Sequence, residues 1–143
     1  MRIRTLMPSL SGATKIINRK NTYEEDAKAT LVYFWSMSCS ECANSIKNLK
    51  ELERIFGNRL AVHAIHMPRE KSDYSEALVK EKIMQLEIIY PVYLDNELKI
   101  SDRFGNQFVP AYYIFDEQQQ LRFYKSGYSA LKLLQQKIER IIK

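Results

Sequence analysis

The sequence predicts an α/β protein with a mixed central sheet, and three observations lead to this fold class. Apolar runs of strand length alternate with segments whose apolar residues recur every three to four positions, which is the pattern of a βαβ unit. Two further apolar runs, led by a proline and joined by a polar turn, predict an antiparallel hairpin. A last amphipathic segment, rich in Lys and Arg toward its end, predicts a terminal helix.

The first strand and helix occupy residues 31–56. Residues 31–35 are apolar, β-branched or aromatic, as in a strand buried on both faces. From Ser40 onward the apolar residues recur at helical spacing, and Gly57 follows as a stop signal. The run at 59–66 predicts the next strand. Two strands separated by a helix of this length are parallel, with a right-handed crossover.

The remaining elements follow from shorter signals. In chain order they are a helix capped at Ser72-Asp73 and running to about Glu87, a strand at 91–95, a brief helix at 98–105, hairpin strands at 111–115 and 121–125, and a last helix capped by Ser129. Residues 1–30 are the least regular part, with a short strand or bridge at 15–18 and a polar stretch at 23–26. We expect a single domain of residues 1–143 with an irregular N-terminal extension.

Size and composition indicate a globular protein. A chain of 143 residues buries about two thirds of the surface that its unfolded form exposes, so it needs no staples and its two cysteines are free for chemistry. The hydrophobic share of 45%, with only four glycines and four prolines, excludes low-complexity segments. The net charge of +5 is spread among acids, as in residues 47–54, which favours a solvated helix face over nucleic-acid binding.

Targeting signals are weak in this sequence. The N-terminal residues lack the apolar stretch of about 7–15 residues that a secretory signal requires. No run approaches the ~18 apolar residues of a membrane span. We therefore expect a cytoplasmic protein without a membrane span, and an extracytoplasmic location is the alternative if a signal or anchor has been removed.

Cys39 and Cys42 stand three residues apart where a strand feeds a helix. The unpaired N–H groups and the dipole of a helix N-terminus favour a thiolate, so Cys-x-x-Cys in this context indicates redox chemistry. A structural disulfide, two inert buried thiols and half of a metal site are the alternatives. Zinc would need His63 and His66 as further ligands, but a strand turns these two side chains to opposite faces and the gap between the pairs is longer than in common zinc fingers.

Three stretches, residues 34–42, 90–96 and 104–116, resemble in order and spacing the thioredoxin superfamily, and more closely its TlpA, ResA and DipZ-like branch of thiol-disulfide oxidoreductases. The resemblance implies a three-layer sandwich with helices on both faces of the sheet. It implies that Cys39 is the exposed nucleophile and Cys42 the resolving thiol of thiol-disulfide exchange. No cofactor is implied. The expected partners are a disulfide-containing protein or small-thiol substrate and an unidentified electron donor. The protein itself is expected to be a monomer.

The resemblance also assigns the Val109-Pro110 pair. X-Pro bonds are ordinarily trans, but the family has a cis-proline facing the redox pair, where the backbone before it pairs with an extended substrate. Val109 and Pro110 are therefore expected to bind substrate. Trp35, directly after the buried run, is expected to belong to the core or to form a wall of the same site.

Several positions depart from the family pattern. Tyr33 stands where thioredoxins carry a buried aspartate, and with a reference pKa near 10 it cannot act as a base at neutral pH. Ser38 replaces the tryptophan that usually precedes the first cysteine. Together with Ser40 and Glu41, it is expected to tune the redox pair. Some relatives carry a glutamate just after the second strand of the βαβ unit, so the resemblance makes Glu70 the candidate proton acceptor for Cys42, with a plain surface acid as the alternative.

Glu41 is the most informative of these departures. A carboxylate about 7 Å from the thiolate costs that thiolate roughly 0.6–1.2 kcal/mol at an effective dielectric of about 40–80. The helix terminus stabilises the thiolate by about 0.3–1 kcal/mol, up to about 2 when partly buried, so the two effects nearly cancel. We therefore expect the Cys39 thiol to be less acidic than in strongly oxidising relatives, and the protein to act as a reductant or redox carrier more than as an oxidant. Glu41 is also a favourable acid for a first helical turn, and both roles are compatible.

Two other functions compete with the oxidoreductase. A peroxiredoxin-like peroxidase would share the fold, but Ser36 and not threonine stands three residues before Cys39. A non-catalytic thioredoxin-like binding or chaperone module would keep the cysteines without using them.

Overall fold

The computed structural model describes residues 1–19 and 26–143. Its strands are β1 (Lys15–Ile17), β2 (Ala29–Trp35), β3 (Leu60–His66), β4 (Val92–Leu94), β5 (Ala111–Asp116) and β6 (Leu121–Ser126). Its helices are α1 (Cys42–Phe56), α2 (Glu76–Gln85), α3 (Lys99–Phe104) and α4 (Leu131–Ile142). Short 3₁₀ turns occupy Gly57–Arg59 and Lys71–Tyr74.

The six strands form one sheet in the order β1-β4-β3-β2-β5-β6. β2 pairs in parallel with β3 and β3 with β4, whereas β5, β6 and β1 join antiparallel. β2 lies between β3 and β5 and every one of its residues is buried, because an all-apolar strand is stable only with both faces covered. The predicted mixed sheet with its βαβ unit and hairpin is confirmed.

Alternate residues of β2 enter two separate cores. Leu31, Tyr33 and Trp35 pack with α1, α2 and α4 on one face of the sheet. Val32 and Phe34 pack with α3 on the other face. Side chains alternate in this way along any strand, so the expected three layers, with helices on both faces, follow directly from the buried run.

The N-terminal region contains the short strand expected at residues 15–18, which is β1 (Lys15–Ile17). β1 pairs antiparallel with β4, and Leu6 bridges to Gln120 beside β6. The expected polar stretch at 23–26 lies, except for Asp26, outside the described residues. Within the described ranges, no helix is both long and apolar enough to cross a bilayer.

Two of the expected helix caps are wrong. Ser72 and Asp73 belong to the 3₁₀ turn, and α2 is capped instead by Ser75, whose hydroxyl accepts the Leu78 N–H at 3.2 Å. At α4 the cap position is Ala130, while the Ser129 N–H donates to the hydroxyl of Tyr112. The Asp73 carboxylate instead accepts the Ser38 hydroxyl, and the Ser129 hydroxyl donates to the Ala130 carbonyl, so neither side chain caps the helix that follows it.

Glu53 on α1 links stability to pH. Burial raises its pKa to about 7, against a smaller opposing effect of Lys50. Because the folded state holds this proton more tightly than the unfolded state, the contribution of Glu53 to the free energy of unfolding falls as pH rises from about 4.5 to about 7. E53Q is therefore expected to raise the free energy of unfolding at pH 8 by about 1–2 kcal/mol, after allowance for partial exposure, and to have no such effect at pH 4.

Urea denaturation at both pH values measures this difference. E139Q, which neutralises an exposed carboxylate on α4, is the matched control and is expected to leave stability nearly unchanged at both. An equal gain from E53Q at pH 4 and pH 8 would contradict the assignment of the pH dependence to Glu53.

Candidate active site

Cys39 and Cys42 form a disulfide at the C-terminal end of β2, with their Cα atoms 5.4 Å apart. Cys42 is 1% exposed, whereas Cys39 is only half-buried. This asymmetry distinguishes the two sulfurs chemically. An incoming disulfide can reach Cys39, while Cys42 is reached only by its neighbour.

The helix after the disulfide begins later than expected. α1 starts at Cys42 rather than Ser40, and Glu41 occupies the cap position without any side-chain capping bond. Cys39 therefore lies in a turn just before the helix, where its N–H donates to the Ser36 carbonyl at 3.1 Å. The Cys42 N–H, the first of the helix, donates to the Cys39 carbonyl at 3.3 Å.

An outer cleft of about 400 Å³ opens beside Cys39. It is lined by Ser38, Cys39, Ser40, Glu41, Arg69, Glu70 and Val109. Most of the residues that the sequence singled out thus meet in one place. The Val109–Pro110 peptide bond is cis, and the Pro110 carbonyl accepts the Gly127 N–H at 2.8 Å.

A smaller inner cavity of about 160 Å³ lies behind the disulfide. Its wall includes Trp35, both cysteines, Ile46 and Lys82. Trp35 is 1% exposed, and its indole N–H has no partner among the described residues. Trp35 therefore belongs to the core and forms a wall of the inner cavity, as expected, and it does not line the outer cleft.

Buried hydroxyl groups surround the backbone of Cys42. The Ser45 hydroxyl donates to the Cys42 carbonyl at 3.0 Å and contacts the Tyr33 hydroxyl. Burial raises the pKa of Tyr33, so its hydroxyl stays neutral. Ser45 was missed at the sequence level, although a serine inside the apolar stripe of α1 is a signal of such a buried polar contact.

Glu70 lies on the Cys39 side of the disulfide. It is exposed in the outer cleft, whereas Cys42 lines the inner cavity. A proton that leaves Cys42 for Glu70 must therefore pass the Cys39 side or cross solvent.

His66, at the end of β3, supports the turn before Cys39. Its Nε2 accepts the Met37 N–H at 3.0 Å, so a neutral ring carries its proton on Nδ1, which has no partner in the described part of the chain. Burial lowers the pKa of His66 to about 4, against a smaller opposing effect of the Asp73 charge. The ring also packs edge-on against Trp35, with centroids 4.9 Å apart.

The four residues weighed as zinc ligands are not brought together. His66 faces Trp35 and the α1 side of the sheet, while His63 faces Tyr93 on the opposite side, with its Nδ1 2.9 Å from the tyrosine hydroxyl. Three residues along a strand invert the direction of a side chain, so the two histidines cannot share a metal ion with the cysteines.

Comparison with known proteins places this site among redox proteins. Residues 4–124 match the model of the AhpC/TSA family. The chain is 35% identical over 144 aligned residues to "Thiol-disulfide oxidoreductase YkuV" of Bacillus subtilis, covering 99% of this chain and 97% of that protein. It is 28% identical to "Protein DipZ" of Mycobacterium bovis, covering 84% of this chain but 18% of that longer protein.

Solved structures agree in fold. The solution structure of a thioredoxin-like protein in the oxidized form superposes with a TM-score of 0.87 at 35% identity, covering 99% of this chain and 97% of that one. A thiol-disulfide isomerase from Corynebacterium glutamicum superposes with a TM-score of 0.82 at 17% identity over 97% of this chain and 96% of that one, a likeness of fold alone.

Proposed function

Since this chain belongs to the AhpC/TSA family and is a thiol-disulfide oxidoreductase with the thioredoxin-like fold, we propose that it works as a reductant or redox carrier for protein or small-molecule disulfides. The observation that carries the proposal is the unequal access to its two cysteines. Cys39 borders the open cleft, and Cys42 is buried directly behind it. Such a pair can accept a substrate at one sulfur and release it with the other.

The exchange takes place in two steps, one at each cysteine. The Cys39 thiolate attacks one sulfur of the substrate disulfide, and a mixed disulfide forms while the other substrate sulfur leaves as a thiolate and takes up a proton. Cys42 then loses its proton and attacks the Cys39 sulfur, which releases the second substrate thiol. The substrate gains two electrons and two protons, and the protein is left as the Cys39–Cys42 disulfide. A dithiol donor must return it to the reduced state.

The charge beside Cys39 sets the preferred direction of electron transfer between the protein and its substrate. Glu41 borders the cleft next to the nucleophile and is not tied up in a capping bond. Its negative charge disfavours the thiolate and so the reduced form. A protein that is easily oxidised gives up electrons readily, which is the behaviour of a reductant.

Exchanging Glu41 for histidine tests this direction. E41H is expected to lower the pKa of the Cys39 thiol by about 0.5–1 unit and to raise the reduction potential by about 15–30 mV. The pH profile of Cys39 alkylation and equilibration against glutathione measure the two quantities. E117H, in the hairpin turn at the other end of the sheet, is the control and should change neither. A pKa for Cys39 in E41H equal to that of the wild type would refute the electrostatic explanation.

Peroxidase activity is the alternative function that the match to the AhpC/TSA family makes most relevant. Ser36, three residues before Cys39, donates its hydroxyl to the Met67 carbonyl and is buried. It is therefore not available to hold a peroxide beside Cys39. Hydrogen peroxide consumption with a dithiol donor should stay near the uncatalysed rate, whereas rapid consumption would favour the peroxidase. Equal disulfide reductase rates in wild type and C39S would favour a non-catalytic binding module.

We further propose that the protein is a monomer, that it acts in the cytoplasm, and that a reduced dithiol protein reduces its Cys39–Cys42 disulfide. One chain supplies both cysteines and the whole cleft, so no second subunit is needed, and a reducing compartment supplies electrons for a reductant. Light scattering in solution tests the monomer. Fractionation followed by trapping of the thiols in cells tests the location, and an oxidised pool outside the cytoplasm would overturn it.

A further inference from the structure

The segment just before Cys39 is tied to the chain that follows β3. The Met67 N–H donates to the Trp35 carbonyl at 2.8 Å, and the Ser36 hydroxyl donates back to the Met67 carbonyl. The Met37 N–H donates to His66. Each residue from 35 to 37 is therefore held by a partner about thirty positions away in the sequence.

Ser38, the last residue before the nucleophile, is held by Asp73. Its N–H donates to Oδ1 of Asp73 at 3.1 Å and its hydroxyl donates to Oδ2 at 2.7 Å. The same Oδ2 accepts the N–H groups of Arg69 and Glu70, at 2.9 and 3.0 Å. We call the pair of contacts between Ser38 and Asp73 the Ser38–Asp73 clamp.

Asp73 carries its charge inside the protein. The residue is 1% exposed. Burial would raise the pKa of its carboxyl, but the hydrogen bonds from Ser38, Arg69 and Glu70 outweigh burial and lower the pKa. Four charge-assisted donors on one carboxylate make a rigid contact. The carboxylate stays ionised at every pH at which Cys39 reacts.

The clamp has two consequences for Cys39. The Ser38 N–H and hydroxyl are used by Asp73, so neither can hydrogen-bond to the neighbouring thiolate. The carboxylate Oδ1 also lies 3.1 Å from the backbone nitrogen of Ser38, the residue directly before Cys39, so its charge is a short distance from the sulfur. A like charge at this distance disfavours the thiolate.

We propose that Asp73 is a positioning residue of the active site, whose carboxylate fixes Ser38 and places a negative charge beside Cys39 that keeps the pair reducing. The inference rests on the proposed function. Other charged groups also border Cys39, namely Glu41, Arg69 and Glu70 in the outer cleft and Lys82 in the inner cavity. The test therefore keeps all four unchanged.

D73N removes the charge at constant size. It is expected to lower the pKa of the Cys39 thiol by about 0.5–1 unit, with a matching shift of the glutathione equilibrium toward the dithiol form. The matched control is D116N. Asp116 is a buried carboxylate that accepts two backbone N–H groups, from Gln118 and Gln120, and an N–H of Arg122. Its strand partner is Ala29, about 20 Å along β2 from the disulfide. D116N should leave the Cys39 pKa unchanged.

A pair of Ser38 variants tests positioning apart from charge. S38A removes the Ser38 hydroxyl but keeps the Asp73 carboxylate. It is expected to slow exchange with a protein disulfide about 5-fold. The rate of alkylation by iodoacetamide, measured where Cys39 is fully deprotonated, should stay at the wild-type value. S38T, which retains the hydroxyl, should restore the exchange rate. This pair remains informative if D73N does not fold.

The outcomes separate the inference from the function it rests on. If wild type exchanges disulfides but D73N and D116N give equal Cys39 pKa values, the charge on Asp73 does not act on Cys39 and the inference is overturned. An S38A variant that exchanges at the wild-type rate overturns the positioning role. If wild type itself catalyses no exchange, the proposed function fails instead.

Discussion

C39S is expected to abolish disulfide exchange, with a loss of about 10³-fold or more in kcat/KM. The serine hydroxyl is not ionised at neutral pH, and Cys42, at 1% exposed, cannot meet a substrate in its place. Reduction of insulin with dithiothreitol as donor measures the loss. E139Q, a substitution at an exposed position of α4 that leaves both sulfurs and the cleft intact, is the control and should retain the activity.

C42S gives the complementary result. Its Cys39 still attacks, but no second thiol is present to complete the exchange, so a covalent mixed disulfide with the substrate should accumulate. Mass spectrometry of the trapped adducts would identify the substrates. Trapping through residue 42 in C39S, with none through Cys39 in C42S, would reverse the roles assigned to the two cysteines.

His66 is expected to cause the largest pH effect on stability. Its pKa is lowered to about 4 in the folded state, chiefly by burial, against about 6.5 for an unfolded histidine. Between these values the unfolded state binds more protons at this residue, so the contribution of His66 to the free energy of unfolding falls by about 3 kcal/mol as pH drops from about 6.5 to 4, which exceeds the opposite change of about 1–2 kcal/mol expected from Glu53. Denaturant unfolding followed across this range measures the fall.

H66Q tests the origin of that fall. Glutamine does not titrate, and its side-chain oxygen can accept the Met37 N–H in place of Nε2. The variant should therefore lose much less stability on acidification, whatever its stability at pH 7. H63Q, on the opposite face of the same strand, should still show the loss of free energy of unfolding that protonation of His66 causes on acidification. Identical pH curves for H66Q and wild type would assign the effect to other groups.

Local sequence patterns were sufficient for much of this fold. The apolar run at 31–35 specified a strand buried on both faces, and its alternation explains why two cores form. Gly105 ends α3 in the left-handed conformation, at φ 64°, a position where glycine alone carries no steric penalty. Each of these signals acts between neighbours in the chain, and residue type and spacing determine it.

Helix starts were less predictable. Ser72, Ser75 and Ser129 are all plausible caps by residue type, and only Ser75 serves as one. Which polar group caps a helix depends on whether another partner takes its side chain, as Ser38 takes the Asp73 carboxylate and the Ala130 carbonyl takes the Ser129 hydroxyl. The late start of α1, which leaves Cys39 outside the helix, has the same origin, because the segment before it is held by β3 and Asp73.

The features of the active site also separate into those that local sequence determines and those that the tertiary structure determines. The sequence by itself determined the two cysteines, their order on the chain, the Val109-Pro110 pair and the acid at position 41, because these features are short motifs or substitutions within them. Only the tertiary structure decided that Cys39 borders a cleft while Cys42 is buried, that Trp35 is inside, and that His66 and Asp73 hold the turn between strand and helix. Those contacts join residues about thirty positions apart, and no local pattern encodes a hydrogen bond that forms only once β2 and β3 lie side by side.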